Sequence, residues 1–373
     1  MPIAKETQLE IDLGALEWNF RYLRSRILPG TKFLAVVKAF SYGHDAPLIA
    51  GKLESLGVDY FAVAYAQEGV ALRKGGIKAP ILVLHPSPVN FETIIDHRLE
   101  PALYSLKILR QFTATARAKK KAGFPVHLNF NTGLNRLGFG EGQLQEIIAY
   151  LKAAEYIRPV SVFSHLVASE DPAEKEFTLA QIGQFERIAS SLEKALPHSL
   201  MKHMLNTSGI IHYPEAQYDM VRSGIGLYGF GNEAAVDSRL RPVATLKTVI
   251  SQLHDIAKGD SVGYNRGFIA KAPVRTATLP LGHADGIGRQ YGKGKGFVYI
   301  HGRKAPIIGN VCMDMIMVDA TGIDCQEGDE VVVFGGEAPA EALAAAAGTI
   351  SYELLTGISQ RVPRLVLNPI SSD

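Results

Sequence analysis

The chain has 373 residues, 47% hydrophobic and 20% charged, enough for two domains, or one large domain with an appendage, and for a sizeable core. Its 39 basic and 37 acidic residues are interspersed and leave a formal net charge of +2. That balance excludes the one-sided basic footprint of a nucleic-acid binder or a polybasic membrane patch, and leaves small, locally bound anions possible. No stretch is apolar over the roughly 18 residues a membrane span needs, and the first seven residues show no basic region leading into an apolar one. Cys312 and Cys325 are the only cysteines, in no disulfide or metal pattern, so a soluble cytoplasmic protein in a reducing compartment is expected, with no metal site.

Along the first two thirds, short β-branched or aromatic runs alternate with helical patterns, as repeated βα units require. The runs are Phe33 to Lys38, Tyr60 to Ala64, Pro80 to His85, Glu100 to Leu103, Val126 to Phe130, Val160 to Ser164, Lys202 to Leu205 and Met220 to Leu227. Apolar residues spaced by three and four predict helices at Leu13 to Arg26, Gln67 to Lys74, Gln143 to Ala154 and Ala173 to Leu196. Eight runs fit a (β/α)8 TIM barrel, whose chemistry belongs at the C-terminal ends of its strands. Lys38, Arg136, His165 and Asn206-Thr207-Ser208 fall at or just beyond such ends.

After about Arg241 the texture changes to short strands separated by Gly, Pro and Asp, as in Val262-Gly263-Tyr264, Gly296 to Ile300 and Glu330 to Phe334, which predicts an all-β domain. One helical interruption, Ala340 to Ala347, precedes Ile350 to Leu355. The expected fold is therefore α/β plus all-β, with a barrel over residues 1–240 and a β domain over 241–373.

Lys38 closes the apolar run Leu34-Ala35-Val36-Val37 and opens Ala39-Phe40-Ser41-Tyr42-Gly43-His44-Asp45. A lysine leaving a buried strand is partly desolvated, which lowers its pKa and makes a neutral nucleophilic amine available for Schiff-base chemistry. The plain alternative is a strand-end lysine that only reaches out to water. In the predicted loops after strands seven and eight, Thr207 offers a hydroxyl and Gly224 lets backbone approach an anion closely, as phosphate-binding barrels need; ordinary turn and cap chemistry would explain the same residues.

The Lys38 segment resembles the cofactor-lysine motif of alanine racemases, Val-Lys-Ala-Asn-Ala-Tyr-Gly-His-Gly, with Phe40, Ser41 and Asp45 departing from it. Four further segments resemble that family in order: Asn131 to Phe139, Asp219 to Gly229, Val262 to Asn265, and Val311 to Asp314. The resemblance covers most of the chain. It implies pyridoxal 5'-phosphate (PLP) bound to Lys38, and a homodimer in which the β domain contributes to the partner's active site, with the strand at about residues 7–11 joining that domain. It places Thr207, beside Asn206, with Gly224, Ile225, Tyr42 and Tyr352 around the phosphate. Arg222 falls on the ring nitrogen, with His203 orienting it, and His165 lies against the ring. An arginine only donates, so it leaves that nitrogen unprotonated, which weakens the electron sink and suits prompt reprotonation.

Racemisation needs a base on each face of the α-carbon. The resemblance assigns Lys38 to one face and Tyr264, from the partner subunit, to the other, with Arg289 supporting Tyr264. It gives the substrate carboxylate to Arg136, which also contacts the cofactor's phenolic oxygen, and to the backbone at Met313 and Asp314, next to Cys312. Considered alone, Tyr264 reads as a strand-packing aromatic and either histidine as a structural one. Three positions depart from the family. Asn129 stands where many relatives carry a carbamylated lysine, and its amide can hydrogen-bond Arg136 but lacks that charge. His283 replaces the usual tyrosine at the substrate entrance, and Asn131 replaces an aspartate. The implied activity is interconversion of L- and D-alanine, supplying D-alanine for peptidoglycan. The nearest alternatives are a serine or broad-specificity racemase and a non-catalytic PLP-binding barrel.

Overall fold

The structure is a computed structural model that describes residues 6–368; the first five residues of the N-terminal segment considered above lie outside that range. Two compact units emerge. One contains Glu17–Ser41 and Ala46–Leu240, and the other contains the segment up to Leu16, Tyr42–Asp45 and the chain from Arg241 onward.

The first unit is built on eight parallel strands, β2 (Lys32–Val36), β3 (Tyr60–Val63), β4 (Ile81–Val83), β5 (Glu100–Leu103), β6 (Phe124–Asn129), β7 (Ile157–Phe163), β8 (Met201–His203) and β9 (Met220–Ser223). Their order is β8-β7-β6-β5-β4-β3-β2-β9. The gap between β8 and β9 is bridged by backbone bonds from Asp219 to Lys202 (3.1 Å) and from Arg222 to Leu205 (3.1 Å), which brings the barrel round on itself. Strands buried on both faces read as continuous apolar runs, and Tyr60–Val63 and Ile81–Val83 are buried throughout. Leu34, Tyr60, Ala62, Leu82, Ala102, Phe163 and Met220 pack together as one core cluster.

The intervening helices are amphipathic. In Leu106–Ala118, Ile108, Leu109, Phe112 and Ala116 are buried, and the Ser105 hydroxyl accepts from the Ile108 N–H to cap the start. The predicted helices appear as Leu13–Arg24, Ala66–Lys74, Leu144–Ala153 and Lys175–Ala195. Sequence periodicity had not picked out Ala46–Ser55, Phe91–Asp96 or Leu106–Ala118. The run Met220 to Leu227 is not one strand: it leaves the sheet at Ser223, and Ile225–Tyr228 turns into a short 3-10 helix.

The second unit carries a nine-stranded, mostly antiparallel sheet and a separate two-stranded ribbon. The strand β1 (Gln8–Asp12) pairs antiparallel with β10 (Ala244–Val249) and parallel with the last strand, Arg364–Leu367. Val262 ends a two-residue strand, so Val262-Gly263-Tyr264 is not a continuous strand. Gly263 has φ +78° and Tyr264 begins a 3-10 turn. Ser351–Thr356 is helical. Among the described residues no helix is long and apolar enough to cross a membrane.

Candidate active site

Lys38 lies two residues beyond the end of β2, and the chain after it takes an unusual course. Ala39, Phe40, Ser41 and Tyr42 have φ between 53° and 56°, a left-handed turn that costs on the order of 1–2 kcal/mol per L-residue. Surrounding contacts hold it. The Ala39 N–H donates to Glu68 Oε1 (2.6 Å), Ser41 N donates to Val37 O (3.1 Å), and the Ser41 hydroxyl bonds the Tyr228 hydroxyl (2.7 Å). Glu68 also accepts from Ala64 N (2.7 Å) and Tyr65 N (3.0 Å), tying the start of its own helix to the same carboxylate. The Lys38 amine is pulled below its ordinary value by burial and then by the positive charge of Arg136, with Glu68 opposing. Both effects act in the direction that imine chemistry requires, toward the neutral amine.

Arg222 is 5% exposed and almost fully engaged. Its Nη1 donates to His203 Nδ1 (2.6 Å) and His203 O (3.2 Å). Its Nη2 faces Ser164 O (2.6 Å), Met204 O (3.1 Å) and His165 Nδ1 (3.1 Å). Two terminal nitrogens thus meet five acceptors, while among the described residues the Nε–H has no hydrogen-bond partner. Burial and the Arg136 charge lower the guanidinium to about 9, which leaves it charged at neutral pH. Burial, reinforced by Arg222, Arg136 and Lys38, drives His165 down to about 3, so its ring is neutral. Both histidines accept from Arg222 at Nδ1.

The third part of this cluster faces anions. Asn206 caps the short helix Thr207–His212, its side chain accepting from Gly209 N (2.8 Å). The Thr207 hydroxyl bonds Ser223 Oγ (3.0 Å) and receives Gly226 N (3.4 Å). A Cβ on Gly226 would lie 2.4 Å from Thr207 Cγ2, so only glycine lets the 3-10 turn close on the threonine. Two turns beginning at Thr207 and Ile225 present first N–H groups that have no acceptor within their own turns. These donors and hydroxyls, with the unspent Arg222 Nε–H and the desolvated Lys38 amine, fit a phosphorylated pyridine aldehyde.

Arg136 is exposed, at the end of a loop shaped by Asn131, whose side chain accepts from Gly133 N (3.1 Å) and Asn135 N (3.0 Å). Its charge acts on Lys38, His165 and Arg222, which brings it into the same cluster. The Asn129–Arg136 hydrogen bond is not formed. Asn129 contributes its backbone oxygen to Phe139 N (2.8 Å), and an uncharged amide on a strand end has little pull on a solvated guanidinium.

The remaining expected residues lie in the second unit. Tyr42 is buried and its ring meets Tyr352, on the helix Ser351–Thr356, at 6.2 Å; burial, then Tyr352, pushes the Tyr42 phenol upward. Tyr264 is 71% exposed on its 3-10 turn, where Asn265 and Arg266 have φ of 54° and 50° and Asn310 Nδ2 donates to Tyr264 O (2.8 Å). It shares a cleft of about 410 Å³ with Cys312, Met313, Asp314, Met315 and Met317. His283 N and Ala284 N donate to Cys312 O and Met313 O (both 3.0 Å), which shapes the Met313–Asp314 backbone. Arg361 bridges Asp285 (2.7 Å) and Asp314 (2.6 Å). Arg289 does not engage Tyr264: its side chain is exposed and makes no hydrogen bond or ion pair among the described residues.

Models of the alanine racemase N-terminal and C-terminal domains match residues 11–231 and 243–366. The chain belongs to the alanine racemase family. Alanine racemases from Syntrophobacter fumaroxidans and Desulfovibrio desulfuricans are 37% and 34% identical to it, over 94% and 95% of this chain and 95% and 96% of theirs. Among solved structures, the alanine racemase of Clostridium difficile 630 superposes with a TM-score of 0.91 at 35% identity, covering 98% of this chain and 97% of that one. The Bartonella henselae alanine racemase, solved with covalently bound pyridoxal phosphate, gives 0.89 at 30% identity, covering 98% and 100%.

Sequence reasoning about the family passed over Glu68, Gly226 and Arg361. Glu68 stands three residues after the N-cap Tyr65, which is not the Ser or Thr of a capping box, so the sequence does not mark it. Arg361 had no local signal.

Proposed function

We propose that this chain racemises alanine with pyridoxal 5'-phosphate, using Lys38 and Tyr264 as opposed bases, and that it works as a cytoplasmic homodimer supplying D-alanine for peptidoglycan. The observation that carries the reading is the Arg222 cluster: a buried, charged arginine with one donor unspent, beside a lysine amine lowered by burial.

When bound, the cofactor supplies an aldehyde for amine capture and a conjugated ring that accepts electron density from the substrate's α-carbon. Thr207, Gly224 and Ile225, with Asn206 behind them, hold the phosphate, and Tyr42 and Tyr352 contribute their phenols. Arg222 holds the ring nitrogen as a donor and cannot give its proton away. His165, neutral down to acid pH, would border the ring without adding charge. Lys38 anchors the cofactor and then moves the α-proton of D-alanine. Tyr264 of the partner subunit moves that of L-alanine. Arg136 and the Met313–Asp314 backbone hold the substrate carboxylate. His283 and Cys312 border the second half of the site, and Asn129 stands near Arg136 in place of a charged group. The exposure of Tyr264 (71%) and Met313 (59%) supports a dimer, because a cleft carrying exposed apolar side chains gains by being covered.

Solvent-deuterium exchange at Cα tests the mechanism with L-alanine, D-alanine and L-serine. Wild type is expected to exchange both alanine enantiomers, and Lys38→Ala neither. Tyr264→Phe should lose exchange from L-alanine by roughly 10²- to 10⁴-fold while retaining more of that from D-alanine. Cofactor-loaded wild type that exchanged no amino acid would sink the racemase reading. Equal, undiminished exchange in Tyr264→Phe would sink only the two-base assignment. Sedimentation velocity reads the dimer directly.

A further inference from the structure

The hydrogen bonds of Arg222 continue across the barrel. His203 Nε2 lies 3.0 Å from Ser161 Oγ, Ser161 Oγ lies 2.6 Å from His127 Nδ1, and His127 Nε2 lies 2.8 Å from Glu100 Oε2. The five residues sit on β9, β8, β7, β6 and β5, five successive strands around the barrel. Strand periodicity puts them on one face: His127 pairs in register with Ser161, and Ala102, two residues along from Glu100, pairs with His127. His127, Ser161 and His203 are all fully buried.

The directions at the Arg222 end follow from one fact. Arginine has donors only, so His203 Nδ1 must accept from it. A neutral His203 then carries its proton on Nε2 and donates to Ser161. Having received at its oxygen, Ser161 still has its hydroxyl proton to give, and the relay continues when that proton turns toward His127 Nδ1. His127 in turn carries its proton on Nε2 and donates to Glu100. Running the chain the other way would bring a His203 Nδ1–H against the Arg222 N–H. Burial, and then the Arg222 charge, hold His203 well below its ordinary pKa, consistent with a neutral ring.

We propose that Ser161, His127 and Glu100 are positioning residues that lock His203 as the Nε2–H tautomer, and so hold Arg222 in the orientation that leaves its Nε–H for the cofactor ring. The relay begins at a cation and ends at a carboxylate, which matches its polarity at both ends. Neighbours brace it: the His203 ring stacks on Phe163 (4.9 Å between centroids, 11°), the Arg222 guanidinium lies over the same ring (5.4 Å), and Tyr60 meets His127 edge-on (6.0 Å, 89°). The His203 tautomer stands on hydrogen-bond geometry alone, whereas the link to the ring rests on the function proposed above.

Nuclear magnetic resonance of holoenzyme carrying ¹⁵N-labelled histidine reads the tautomers, and absorption of the bound cofactor reads the link. In wild type at pH 7, His203 and His127 should both be neutral with the proton on Nε2. A proton on Nδ1 of either, or both rings doubly protonated, overturns the relay. In Ser161→Ala, which cuts its middle, the His203 resonance should move, the cofactor absorption maximum should shift, and kcat should fall by about 10- to 100-fold with KM within about twofold. An unchanged absorption band and kcat overturn the positioning role. Should Ser161→Ala fail to fold, Glu100→Gln, which keeps the side chain's shape, is judged by the same readouts. A wild-type protein with the expected tautomers but no α-proton exchange would retire the racemase reading and leave the relay intact.

Discussion

At the barrel end, Arg222 is 5% exposed and its terminal nitrogens meet five acceptors, whereas in the β unit Tyr264 is 71% exposed and is steadied through its backbone oxygen, which accepts from the Asn310 side chain. The first region is preorganised by burial: each polar group is placed by partners that would be costly to leave unmatched, on the order of 1–3 kcal/mol apiece. The second is a presented surface whose shape comes from backbone turns at Gly263, Asn265 and Arg266. The contrast means that substitutions in the barrel cluster should disturb stability and chemistry together, and substitutions in the Tyr264 cleft should disturb chemistry with little effect on folding.

The sharpest way to break that contrast is Gly226→Ala. The new methyl would sit 2.4 Å from Thr207 Cγ2 and 3.1 Å from Ser223 Oγ, in a turn with no room to shift outward. Overpacking of this kind costs about 1–3 kcal/mol, and here it also pushes apart the two turns assigned to the phosphate. Urea unfolding should show the loss of stability, and equilibrium dialysis a weakened hold on PLP. Wild-type stability and affinity together would show that the turn is loose rather than preorganised.

A smaller effect is expected from acid. The folded chain keeps His165 neutral down to about pH 3, while the unfolded chain takes up that proton near 6.5. Between those limits the unfolded state binds more protons, so stability rises with pH and is lost as pH falls from about 6.5 toward 3. His203 acts in the same direction. Comparing urea midpoints from pH 7 to 4, His165→Gln should lose stability less steeply than wild type. Identical slopes would mean that the unfolded-state proton uptake is matched in the folded protein.

These tests bear on what the sequence already shows. The barrel was readable because β2 to β9 are apolar runs punctuated by turns, and Lys38, His165 and Thr207 could be put at strand ends by counting. The relay was readable in part: period two places Ser161 with Phe163 and His165, and Met220 with Arg222, yet nothing local says that Glu100 is a terminus, since that depends on which strands become neighbours. The left-handed turn after Lys38 was hidden, because Ala39, Phe40 and Ser41 carry no preference for positive φ and adopt it under contacts from Glu68 and Tyr228. Arg289 differs in kind: the resemblance assigned it a role, and its side chain is exposed with no hydrogen bond or ion pair among the described residues.

The mildest prediction concerns Arg361, which bridges Asp285 and Asp314 from a half-exposed position. The exposed Asp314 pair contributes about 0–1 kcal/mol, and buried Asp285 keeps its bond from Gly282 N, so Arg361→Gln should change thermal stability little. Its geometric role is larger than its energetic one. Asp285 also accepts from Gly282 N (2.7 Å), and the backbone just beyond it, at His283 and Ala284, holds the Cys312 and Met313 carbonyls. Releasing Arg361 therefore loosens the segment that the proposed function gives to the substrate carboxylate. A rise in KM for alanine with kcat and melting temperature near wild type is the expected result, read by steady-state kinetics in both directions. Unchanged KM would place substrate holding on Arg136 alone and remove the Met313–Asp314 backbone from that role.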